Sequence, residues 1–146
     1  MSYQEAELVN QADLAKSRSE LGSAFLRILS YFREDGDKAI GAIEQAIRER
    51  NAIALVTPAH TLKGESAQFG AHRLSSMAER IEMVARRCVE TREGPDELIE
   101  VVVSLRPCFT ETMSLLDHDS NPLVARRPAT FGRRSEPPSQ GFGRVG

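Results

Sequence analysis

The chain has no tryptophan, only two tyrosines and two cysteines, and no apolar run near the ~18 residues of a membrane-spanning helix. Each shortage excludes something. Cys88 and Cys108 both fall on the apolar side of helical patterns. They read as small buried hydrophobes in a reducing compartment, without the partners a disulfide or a metal site requires. The opening Met-Ser-Tyr-Gln-Glu-Ala-Glu lacks the basic and apolar regions of a secretory leader, so a cytoplasmic protein is expected. No glycine-rich loop of the ATP-cradling kinds occurs. Aromatic residues make up 5% of a chain rich in Ala, Leu, Ile, Glu and Arg, which favours an all-α fold.

The formal net charge of −2 conceals an asymmetry. Residues 120–146 carry five arginines (Arg126, Arg127, Arg133, Arg134 and Arg144) against Glu136, a net +4 that leaves −6 on the remainder. This segment also holds Asn121-Pro122, Pro128 and Pro137-Pro138, and is expected to be disordered. Phe131-Gly-Arg133 recurs as Phe142-Gly-Arg144, an echo too short to count as a repeat. A solvated tail is the default reading, and docking onto an acidic partner is the rival. Nucleic-acid binding is not expected, because the body is acidic and the tail has no recognition element.

Between the ends, helical periodicity dominates. Residues 1–12 read as a flexible lead, with a short helix from about Asp13. Leu21, Phe25, Ile28, Leu29 and Phe32, then Ile40, Ile43 and Ile47, form one stripe ending near Arg50, with Gly36 a candidate bend. Asn51 suits a break and cap for a helix over about 52–69, which contains Pro58 and stops at Gly70. Pro58 reads either as a tolerated bend or as one that re-aims the residues after it. A helix over about 71–91 presents Leu74, Met77, Ile81, Val84 and Cys88 on one face. After the Gly94-Pro95-Asp96 turn, a last helix carries Leu98 to Leu116, with Pro107 a second candidate kink. Amphipathic helices joined by short connections imply an antiparallel up-down four-helix bundle.

The segment from Ala59 to Ala71 is the unusual one. At 100° per residue, Leu55, Ala59, Leu62, Ser66 and Phe69 share the buried stripe, while His60 lies well off it. Its neighbours at three and four residues are Val56, Thr57, Lys63 and Gly64. The imidazole should therefore face solvent beside a lysine and a residue without a side chain. A mid-helix glycine costs roughly 1 kcal/mol relative to alanine, which suggests that something large must approach the ring. Lys63 supplies a cation beside the ring, a point charge suited to an anionic group. His72 and His118 have no such setting.

His60, Leu62, Lys63, Gly64, Ser66, Gly70, Ala71 and Leu74, followed by Ile81-Glu82, resemble the signature of histidine-containing phosphotransfer (Hpt) domains, over about Asp13 to Leu116. The resemblance implies that His60 accepts a phosphoryl group and that Glu82, at the family's acidic or amide position, orients its ring. Gln68 stands where the family often has Asn, and Glu65 replaces a frequent Ser. Ser66 reads as a residue permitting close helix packing, with a direct phosphate contact as the alternative; Gln68 is a second candidate for polar support.

The chain is thus expected to comprise a flexible lead at 1–12, an Hpt-like bundle at 13–118 and a disordered basic tail at 119–146. Val56, Thr57, Lys63, Gly64 and Ala67 would form the partner-binding face. The resemblance implies a stoichiometric carrier without ATP-dependent kinase activity, in a chain with no room for a kinase or receiver domain. Its partners would be response-regulator receiver domains or a hybrid histidine kinase. No metal or cofactor is expected on the chain, Mg²⁺ being brought by the receiver, and a monomer is expected. The competing reading is a helical interaction module that binds a receiver or kinase without chemistry.

Overall fold

In the computed structural model, residues 3–120 are described, with side chains to residue 118. After a 3-10 turn at Tyr3–Glu5, five helices follow: α1 Gln11–Leu21, α2 Phe25–Arg48, α3 Ala52–Gln68, α4 His72–Thr91 and α5 Ile99–Ser120. The last four form an antiparallel up-down bundle, and α1 is the short N-terminal helix. The expected tail lies outside the described residues from position 121 onward.

Each boundary has a local cause. α1 begins at Gln11 rather than near Asp13 because Asn10 caps it, its Oδ1 accepting the Asp13 backbone N–H at 2.9 Å. Gly22, at φ +54°, ends α1 and breaks the continuous stripe that the sequence suggested between Leu21 and Phe25. Leu21 therefore belongs to α1. Asn51 caps α3 as expected, accepting the Ala54 N–H at 3.1 Å. Gly70, at φ +72°, closes α3; a Cβ there would also stand 2.8 Å from the Asn10 carbonyl oxygen.

The lead is more engaged than its composition suggested. Val9 is buried, the Asn10 N–H donates to the Gly70 carbonyl at 2.8 Å, and the Arg73 N–H donates to the Glu7 carbonyl at 2.8 Å. His72 Nε2 meets Asp13 Oδ2 at 2.6 Å, linking α4 to α1.

The core is aliphatic along the bundle and aromatic at one end. Phe69 stacks on Phe32 at 5.2 Å and meets Phe25 edge-on at 5.6 Å, while Phe32 meets Phe109 edge-on at 5.9 Å. α2 runs unbroken through Gly36, and a Cβ there would lie 2.6 Å from Phe109 Cε1. The glycine admits the ring. Arg106 ties α5 to α2 through Asp37 Oδ1 at 2.7 Å and Glu44 Oε1 at 3.0 Å. Pro58 and Pro107 are accommodated within continuous α3 and α5. Cys88 and Cys108 are buried free thiols.

Candidate functional site

The buried stripe of α3 is Leu55, Ala59, Leu62 and Ser66, as the periodicity predicts, and it fixes the direction of His60. The His60 side chain is 63% exposed. Its Nδ1 lies 2.9 Å from Oε2 of Glu82 on α4. Lys63, one turn along α3, places Nζ 2.8 Å from Glu82 Oε1. Arg86, one turn along α4, donates to Oε2 from Nε at 3.1 Å and Nη2 at 2.8 Å. Ser75 Oγ donates to the Lys63 carbonyl at 3.0 Å and joins the two helices beside these groups.

Glu82 is the unusual member, a carboxylate only 6% exposed at its side chain. Burial pushes its carboxyl up, but hydrogen bonds from Lys63, Arg86 and His60 outweigh this and lower it to about 2. It is therefore anionic at neutral pH and can only accept. Nδ1 must then carry the hydrogen, so Nε2 of a neutral ring presents its lone pair outward. In that neutral form a nitrogen lone pair faces solvent, with an anion behind the ring.

Gly64 lies one turn along α3 and is exposed. A Cβ at this position would meet nothing within 4 Å, so the chain's own packing does not call for glycine here. Thr57 and Ala67 are also exposed, and Val56 is half-buried. Ser66 is fully buried and its Oγ has no hydrogen-bond partner, which suits a small residue in a helix contact. Gln68 is exposed near the end of α3, about 12 Å along the helix axis from His60. The structure thus brings His60, Lys63 and Glu82 together and leaves Ser66 and Gln68 outside that cluster.

Sequence reasoning missed Arg86. The signal was available, because it stands four residues after Glu82, the spacing at which helical ion pairs form. A groove of about 800 Å³ lies on another side of α4, lined by Tyr3, Ser76, Met83 and Glu100 among others, and contains none of the cluster.

The site is an open helical face carrying an outward imidazole braced by a buried carboxylate. The Hpt domain family model matches residues 27–118. The chain belongs to that family, the histidine-containing phosphotransfer domains of phosphorelays. Among solved structures, the crystal structure of histidine-containing phosphotransfer protein B (HptB) from Pseudomonas aeruginosa PAO1 is similar, with TM-score 0.68 and 22% sequence identity. The match covers 79% of this chain and 96% of that one, and supports the fold. No curated protein matches the chain. Among the described residues no helix is long and apolar enough to cross a membrane.

Proposed function

We propose that the protein is a phosphorelay carrier that takes a phosphoryl group onto His60 Nε2 from a receiver aspartate and passes it to another receiver. The observation that carries this reading is the contact of His60 Nδ1 with ionised Glu82 at 2.9 Å on an otherwise open surface. In the forward step the Nε2 lone pair attacks phosphorus. A P–N bond forms, and the P–O bond to the aspartyl carboxylate breaks. The aspartate leaves as its anion, and the ring becomes a phosphoimidazolium that keeps its Nδ1 hydrogen. Glu82 offsets the positive charge developing on the ring, a form of electrostatic stabilisation. The reverse step returns the group to a second aspartate without changing the carrier.

Lys63 faces the same side and can exchange Glu82 for a phosphoryl oxygen. The receiver supplies Mg²⁺ and the carboxylate pocket, so the carrier's residues need only orient the ring and admit the partner. Val56, Thr57, Lys63, Gly64 and Ala67 form the surface through which a receiver approaches, and the absence of a Gly64 side chain leaves room for it. No step uses ATP.

The test is transfer from radiolabelled phospho-receivers to the native protein and to His60→Ala. Acid-labile, base-stable label on the native protein alone is expected. Label retained by His60→Ala would overturn the site. Binding of receivers without labelling of either protein would instead support the interaction module without chemistry.

A further inference from the structure

Glu82 Oε2 accepts from two sources at once. The His60 ring approaches it at 2.9 Å, and Arg86 brings Nε and Nη2 to the same atom at 3.1 and 2.8 Å. Lys63 holds the other oxygen at 2.8 Å. These are the charged side chains that the described structure brings to the carboxylate, one from α3 and one from its own helix.

The two cations are not equivalent. Lys63 presents a single ammonium on a flexible stem, whereas Arg86 presents a planar guanidinium with two prongs on one oxygen. In the phosphoryl-transfer reading, Lys63 is also the cation free to turn toward an incoming phosphoryl group. When it does so, Glu82 loses its anchor at Oε1. Only Arg86 then keeps the carboxylate aimed at the ring. Arg86 binds the oxygen next to Nδ1, on the ring edge away from Nε2, so its place in the cluster is behind the reacting nitrogen.

We propose that Arg86 is a positioning residue that grips Glu82 Oε2, holds the carboxylate on His60 Nδ1, and thereby fixes the tautomer that leaves Nε2 free. This deepens the phosphocarrier reading, but the tautomer is a property of the free protein and can be measured without any partner.

The experiment is ¹⁵N NMR of the histidine-labelled full chain at about pH 9, where imidazole is neutral. Native His60 should show the Nδ1–H form. Arg86→Met, similar in length but without charge or donors, should shift the population toward the Nε2–H form that free histidine prefers. His72, whose Nε2 meets Asp13 at 2.6 Å, serves as an internal reference that does not move. An unchanged His60 tautomer in Arg86→Met would overturn the proposal. Arg86→Lys, which keeps the charge but loses the two-pronged grip, should give an intermediate ratio. Full recovery in that variant would assign the effect to charge and overturn positioning by the fork.

In single-turnover transfer, Arg86→Met should lower the maximal rate several-fold and leave the half-saturating receiver concentration unchanged. A change in the half-saturating concentration alone would make Arg86 a docking residue and overturn the proposal. A native protein that accepts no phosphate, with the tautomer shift still seen in Arg86→Met, would defeat the phosphocarrier reading and leave the positioning role standing.

Discussion

At Glu82 the cost of burying a carboxylate and the gain from its partners oppose one another, and the partners win. Its carboxyl is lowered to about 2, so the native state holds the anion more strongly than the unfolded chain does. The resulting stability is present in full above the ordinary carboxylate value of 4.5 and is lost as pH falls from there through about 2. Glu82→Gln should therefore lower stability at pH 7. Its partners are partly exposed, which discounts the loss to about 1–2 kcal/mol. The difference in Tm from the native protein should shrink as pH falls from 4.5 toward 2, followed by calorimetry. A constant difference across that range would detach the charge from the stabilisation. Glu65 behaves in the opposite sense. Burial, then the Asp35 charge, raises its carboxyl, and Oε1 has no hydrogen-bond partner. Here the stability is lost as pH rises through the raised value. Glu65→Gln should raise Tm at pH 7, and that gain should disappear in acid.

At the scale of the helix, two interior glycines look alike in sequence and differ in cause. Gly36 makes room for Phe109, so Gly36→Ala gains helix propensity but forces the ring off its contact with Phe32. Overpacking of a core costs typically about 1–3 kcal/mol, which outweighs the ~1 kcal/mol of propensity, so Tm should fall. Gly64 has open space around it, and Gly64→Ala should raise stability by up to about 1 kcal/mol. Gly64→Gln should fold as well but transfer more slowly, because its side chain occupies the path of the partner; unchanged transfer would remove the close-approach argument. Urea unfolding of the three variants beside receiver-dependent labelling separates these effects. The pair also marks what the sequence made legible. Periodicity gave the buried stripe of α3 and the outward angle of His60, and Asn51 and Gly70 marked both ends of that helix. Periodicity could not assign Gly36, because its reason is a phenylalanine from a helix more than 70 residues later. The break at Gly22 was hidden for a related reason: the apolar spacing of Leu21 and Phe25 continues across a backbone that turns. Arg86 was readable from spacing alone, but its importance depends on Glu82 being buried, which only packing establishes.

For the whole molecule, charge and core are distributed differently along the chain. The buried hydrophobic cluster runs from Val9 to Leu116, and the Arg106 pairs with Asp37 and Glu44 fall within the same span. Residues 121–146, with five arginines and Glu136, carry a net +4 that takes the charge from −6 to −2. Folding and partner encounter should therefore separate when the chain is cut after Ser120. Because the cut leaves every member of that cluster in place, the unfolding free energy should change by no more than the ~0.5 kcal/mol typical of surface changes. A large loss of stability would mean that residues 121–146 carry core contacts. Association with an acidic receiver should respond differently, since a −6 body repels such a partner more strongly than the full chain does. The truncated protein should load more slowly at low ionic strength. Raising the salt toward ~1 M, where the screening length falls to about 3 Å, should bring the two rates together. A rate difference that persists at high salt would require a specific contact from the tail rather than its charge.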